Sequence, residues 1–167
     1  MEVGARPVSL DGYHACGVGH AHARLSESAR TRMSSFRSSL QRQLESGVQM
    51  YGVNTGYGAD SARTLPSELI RTVQRTTVFS HDVGTVQPVP PDIVRVRLPL
   101  TANVMATDFA AASSEVPLQL LEFLNHHAIP PVPDLDRLTQ TDSVTPHRPR
   151  LLPPHDCSHG PHITRPR

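Results

Sequence analysis

Between residues 26 and 125 apolar positions return every three or four residues, the period of helices with one buried stripe. The clearest run is 26–45, where Ala29, Met33, Phe36, Leu40 and Leu44 form a single stripe. Arg30, Arg32, Arg37 and Arg42 fall mostly off it and read as a solvated face. Ser26 is placed to cap this helix, Glu27 sits at its positive end, and Gly47 follows as the stop. A second helix start lies in Thr64-Leu65-Pro66-Ser67-Glu68, because a first turn tolerates proline and favours an acidic residue. Leu69, Ile70, Val73 and Thr77 continue its apolar face, and Gly84 is expected to end it. Residues 87–91 form a proline-rich connector. A third helix is expected over 92–112, with Ile93, Val96, Leu100, Val104 and Met105 inward and Pro99 kinking or breaking it. Pro117 opens a fourth, carried by Leu118, Leu120, Leu121 and Leu124 and capped by Ser113 or Ser114.

The two ends of the chain lack this periodicity. Residues 13–22 are rich in Gly, His and Ala, and no helix is expected there. His14, His20 and His22 fit no tetrahedral signature, so a solvated loop is the expectation. Residues 134–167 hold many Pro, Arg, His, Ser and Thr and few large apolar side chains. Such a composition buries too little surface to offset the entropy of ordering, so this tail is expected to be disordered. His155, Cys157, His159 and His162 lie in it at spacings that match no standard structural zinc set. No metal site is expected. The organisation inferred is a mainly α domain over 1–133 followed by the tail 134–167.

Composition narrows the function classes. A chain of 167 residues can bury one ordinary core. The formal net charge of +1 argues against recognition of nucleic acid or a membrane surface through charge. All 16 basic residues are arginine, which reads as a base-composition bias of the gene. No apolar run is long enough to span a bilayer and the first ten residues lack a signal core, so a cytoplasmic protein is expected. Cys16 and Cys157 are too few for a disulfide framework.

The candidate chemistry centres on Tyr51-Gly52-Val53-Asn54-Thr55-Gly56-Tyr57-Gly58, with three glycines in eight residues and two of the three tyrosines of the chain. Glycine opens backbone conformations that side chains forbid, so the stretch is a loop in which backbone can approach a ligand closely. Two readings of the loop stand: a ligand site, or a turn on which two tyrosines pack as amphipathic covers. Further on come Ser80-His81-Asp82-Val83-Gly84, then Val94-Arg95, Leu100, Asn103, Leu120-Leu121, Leu124-Asn125 and Pro131-Val132-Pro133.

In that order these segments resemble the N-terminal part of the histidine and aromatic amino-acid ammonia-lyases. The family carries a Tyr-Gly-x-x-Thr-Gly-(Phe/Tyr)-Gly loop, a Ser-His-x-x-Gly or related segment, a helix bounded by two asparagines, and a proline turn. The resemblance is clearest over 47–133, weaker over 7–46 and absent beyond Pro133. It implies that Pro7-Val8-Ser9-Leu10-Asp11-Gly12 form the short strand and turn that open the fold, and that the chain is a fragment of the helical N-terminal domain.

The resemblance also implies a reaction: elimination of ammonia from an aromatic amino acid to give an α,β-unsaturated acid. The family's electrophile is a methylideneimidazolone ring made from its own Ala-Ser-Gly, and its base is the loop tyrosine, which matches Tyr51. The loop residues Gly52, Asn54, Thr55, Gly56 and Gly58 match the motif around it. Ser80 and His81 match a dipeptide that contacts the substrate side chain, in the histidine-type branch; His81 reads equally as a satisfied helix-end histidine. Where the family has Ala-Ser-Gly, the ungapped register places Gln140-Thr141-Asp142. These side chains offer no serine to dehydrate and no glycine nitrogen to attack, so no such cofactor is expected. Thr107-Asp108-Phe109-Ala110-Ala111 likewise departs from the family's Arg-Gly-x-Ser-Gly.

Two functions follow as expectations. One is a truncated, non-catalytic relative of a histidine-type ammonia-lyase, whether natural or the product of a frameshifted gene. The other is a helical interaction module that binds a full-length lyase-like partner or a second copy through its apolar faces. An aromatic amino acid is the expected small molecule.

Overall fold

A computed structural model of the chain describes residues 1–5, 7–80, 87–107 and 110–132, with the side chains of 78–80 excepted. Among these residues are five α-helices and two very short strands. The chain opens with β1 (Glu2–Val3), passes through α1 (Leu10–Gly17) and returns as β2 (Arg24–Leu25). The strands pair in parallel, Glu2 opposite Arg24 and Val3 opposite Leu25. A parallel pair needs a crossover, and α1 supplies it.

That helix corrects the sequence expectation of a loop over 13–22. Its start is written in Ser9, whose hydroxyl accepts from the Gly12 N–H at 3.2 Å. The opening strand also lies earlier than 7–12, at Glu2–Val3. Cys16 is fully buried at the end of α1, and burial pushes its thiol up while the N-terminal amine and Arg95 pull the other way.

Helix α2 (Glu27–Glu45) matches expectation at both ends. Ser26 caps it by accepting from the Ala29 N–H at 3.1 Å. Gly47, with φ of +80°, closes it: Gly47 donates to Leu44 and Val48 to Gln43, so two carbonyls of the last turn are satisfied. The predicted stripe is buried only at its start. Ala29 and Met33 are buried, Leu40 and Leu44 are half-buried, and Phe36 is 40% exposed.

A loop then leads to α3 (Ser67–Ser80), which begins where Pro66 and Glu68 place it. Among its described side chains, 67–77, none is buried. The expected end at Gly84 lies outside the described residues. Helix α4 (Pro91–Met105) follows, then α5 (Glu115–Asn125). In α5, Ser114 takes the cap position and the Ser113 hydroxyl accepts from the Glu115 N–H at 3.4 Å.

Helix α4 differs from expectation in two ways. Pro99 lies inside an unbroken helix and its ring is fully buried. The inward face is also the other one: Val94, Arg95, Leu98, Pro99 and Ala102 are buried, while Ile93, Leu100 and Val104 are exposed. Apolar residues surround most of this helix, so period alone could not choose a face. Packing against α1 and α5 chose it. The helix also stops at Met105 rather than near residue 112.

The core is α4 packed between α1 and α5, with the strand pair across one end. Two asparagines fasten that pair to the helices. Asn103 accepts from the Gly4 N–H at 3.2 Å. Asn125 binds both polar groups of Ala23, accepting from its N–H at 2.9 Å and donating to its carbonyl at 2.8 Å. The proline turn closes back on the start of α4, where Val89 donates to the buried Val132. Among the described residues no helix is long and apolar enough to cross a membrane. The tail 134–167 lies outside the described residues, and so does Cys157.

Ala23 is 2% exposed, so removing its partner strands an N–H and a carbonyl away from water. Asn125→Ala is expected to lower the unfolding free energy by roughly 2–6 kcal/mol, at 1–3 for each unsatisfied group, in urea titrations. A change below about 0.5 kcal/mol would mean that the two bonds do not secure the strand pair.

Candidate functional site

The Tyr51 loop lies between α2 and α3, as its sequence requires, and is held by its own hydrogen bonds. Asn54 is buried, with its side chain bridging the end of α2 to the loop. It accepts from the Met50 N–H at 2.7 Å and donates to the Val48 carbonyl at 2.9 Å. Thr55, 2% exposed, accepts from the Gly52 N–H at 3.1 Å and donates to the Gly56 carbonyl at 2.9 Å. The return strand of the loop pairs with it. Leu65 donates to Asn54, Gly56 donates to Arg63, and Thr55 bridges Thr64 in antiparallel fashion. A 3₁₀ turn over Gly58–Asp60 completes the reversal.

These residues set the backbone so that both tyrosines stand outward. Tyr51 is 66% exposed and Tyr57 is 41% exposed. Their rings meet edge to face with centroids 6.0 Å apart. Each hydroxyl is engaged locally: the Gly58 N–H donates to Tyr51 Oη at 3.4 Å, and Tyr57 Oη donates to the Gly52 carbonyl at 3.2 Å. Gly52 and Gly58 have φ of +69° and +57°, which favours glycine. Gly56 is required for a different reason. A Cβ there would stand 2.6 Å from Asp60 Cβ and 2.7 Å from the Asp60 carbonyl oxygen.

The loop is tied to α3 by Gln74, whose amide donates to the Val53 carbonyl at 3.3 Å. Ser80 is the last residue of that helix, and His81 lies outside the described residues. The backbone therefore runs from the Tyr51 loop along α3 to Ser80. Gln140, Thr141 and Asp142 lie outside the described residues, as do His155, Cys157, His159 and His162. Among the described residues no three His, Cys, Asp or Glu side chains are grouped to hold a metal ion. His14 belongs to α1, whereas His20 and His22 lie in the connection to β2.

Sequence reasoning missed one cluster. Arg95, 3% exposed, joins the ends of α1 and α5. Its Nε donates to the Gly17 carbonyl and its Nη2 to the Cys16 carbonyl, both at 3.1 Å, and Nη1 meets His127 Nδ1 at 3.1 Å. The available signal was an arginine flanked by Val94 and Val96 in a largely apolar helix.

The helical fold of this chain is shared with solved lyases and aminomutases. A crystal structure of tyrosine aminomutase from Streptomyces globisporus superposes on 82% of this chain and 26% of its own, with a TM-score of 0.77 and 19% identity. The probable histidine ammonia-lyase of Thermoplasma volcanium is 27% identical over 146 residues, 87% of this chain and 30% of that protein. The histidine ammonia-lyase of Treponema denticola is 33% identical over 114 residues, 68% of this chain and 22% of that protein. The family model for aromatic amino acid lyases matches residues 8–140, and the chain belongs to that family. The match extends past Pro133, where the resemblance read from the residues ended. The chain spans less than a third of the length of these curated relatives.

Two glycine substitutions separate collision from backbone strain. Gly58 faces open space, so Gly58→Ala carries only the penalty of its positive φ, about 1 kcal/mol. Gly56→Ala must displace the Asp60 backbone and is expected to cost more, about 1–3 kcal/mol, with altered tyrosine near-ultraviolet dichroism. With no tryptophan present, that signal reports largely on this loop. Equal effects at the two positions would contradict the close approach at Gly56.

Proposed function

We propose that the chain carries the base-bearing part of a histidine-type ammonia-lyase site and does not complete that site by itself. The observation that carries this reading is the placement of Tyr51. Its ring stands on the surface of a loop that is fixed by Asn54 and Thr55, so its hydroxyl is presented at a defined position without being buried in the core. Ser80, the last residue of the helix tied to the loop by Gln74, and His81, next in the sequence, are the residues proposed to meet the substrate side chain. The histidine-type preference rests on that pair and on relatives named as histidine ammonia-lyases.

Elimination of ammonia requires removal of a β-hydrogen that is barely acidic, hence an electrophile besides a base. The residues do not fit the family's ring. The family match reaches Gln140, and Gln140-Thr141-Asp142 hold neither a serine to dehydrate nor a glycine to cyclise. A positioned base alone contributes about 10²–10⁴-fold, against the roughly 10⁶-fold or more that enzymes supply. Purified full chain, incubated with histidine, phenylalanine or tyrosine, is expected to give no more unsaturated acid by ultraviolet absorbance than Tyr51→Phe. Product above that control would overturn the reading.

A second reading, a helical interaction module, is favoured by apolar side chains left in solvent on α2, α3 and α4. Phe36, Leu69 and Val104 are 40%, 46% and 59% exposed. The partner proposed is a full-length lyase homologue or a second copy of this chain. Capture of a purified homologue by the full chain, weakened at least tenfold by Phe36→Ser with Leu69→Ser, is the expected result. Failure of the unsubstituted chain to bind the homologue or itself removes this reading.

A further inference from the structure

Two helix ends meet at Arg95, and beyond each lies a histidine with a left-handed backbone, His20 in the α1–β2 connection and His127 just past α5. Both have φ of 54°. At the end of α5, His127 donates to the Leu124 carbonyl at 3.2 Å and Ala128 to the Phe123 carbonyl at 3.0 Å. His127 thus occupies the helix-stop position that ordinarily favours glycine. The placement turns its imidazole onto Arg95 and beside His20, with the two rings 5.3 Å apart.

An arginine only donates hydrogen bonds. With Nε and Nη2 donating to the carbonyls of Gly17 and Cys16, Nη1 donates to His127, and Nδ1 of that ring must be the acceptor. The ring proton of neutral His127 therefore resides on Nε2. A second proton would place an N–H on Nδ1 against an N–H of the guanidinium, and a positive charge beside a positive charge. The other titratable groups that act on the ring are bases as well: His20 and His22 from the α1–β2 connection, and His126 at the cap of α5. His126 is engaged one turn back by Glu122 at 2.9 Å. The buried Cys16 thiol is pushed up, so it stays neutral and supplies no offsetting charge. The His127 residue is exposed, so solvent can protonate the ring without prior unfolding.

We propose that the His127–Arg95 contact is a pH-operated latch between the ends of α1 and α5, closed while His127 is neutral and opened by its protonation. Arg95 stays bound to α1 through Cys16 and Gly17, so opening releases the α5 side. Partial desolvation, Arg95 and the neighbouring histidines hold His127 below the usual histidine range. The unfolded chain therefore takes up this proton first. The stability that the latch contributes is complete above the ordinary histidine value and is lost as pH falls below it, toward the folded value.

The test is thermal unfolding of the full chain at about pH 7.5 and about pH 5.5, on either side of the ordinary histidine value. Wild type is expected to melt lower at the acid pH. His127→Asn keeps an acceptor for Arg95 and tolerates the left-handed backbone, yet does not titrate. It is expected to lose about half or more of the acid-induced shift. A shift equal to that of wild type would overturn the proposal. Nitrogen-15 spectra of wild-type histidine rings at neutral pH give a readout that survives poor folding of the variant. They are expected to show His127 protonated on Nε2, and a proton on Nδ1 would overturn the latch.

Discussion

A permanent cation in the core constrains how this fold can close. Arg95 is buried in a protein interior that lowers the cost of a charge only where dipoles or partners meet it. The partners are the last carbonyls of α1, at the negative end of a helix, and the neutral imidazole of His127 beyond α5. Neither helix end can move away without leaving a donor of the guanidinium unsatisfied. The same constraint explains why α4 buries the face of Val94, Leu98 and Ala102 rather than that of Ile93, Leu100 and Val104: Arg95 lies on the first of these faces.

The strand pair is too short to stand alone, since two residues per strand give only a few ladder bonds. It persists because side chains of the helical layer act as additional backbone partners. Asn125 reproduces both hydrogen bonds of a strand neighbour for Ala23, and Asn103 supplies one, accepting from the Gly4 N–H. The Tyr51 loop uses the same device. Asn54 and Thr55 give their side chains to backbone groups, which leaves the neighbouring phenols free to stand outward. In both places short polar side chains substitute for regular secondary structure.

Burial is uneven along the chain. The first turns of α2 join the core, whereas its second half and the described side chains of α3 carry apolar residues that the other described residues cover only in part. Membership of a family whose curated members are about three times as long is consistent with faces shaped for additional structure.

The sequence by itself determined the helices with strong local signals. Ser26 and Gly47 bounded α2 to within a residue, and Pro66 and Pro117 marked two further starts. These signals are local, because caps and stops act within one turn of backbone. It also determined the Tyr51 loop, since three glycines with a buried asparagine and threonine leave few other conformations. Tertiary structure decided the rest. Helix α1 has a weak period and was visible only through Ser9, and the parallel strands are set by partners about twenty residues apart in the chain. The buried face of α4 was undetermined because apolar residues lie on nearly all its sides, and packing against α1 and α5, with Arg95 meeting both helix ends, selects one. A one-dimensional period records how often a side chain returns to a face; which face turns inward depends on what the rest of the chain brings to it.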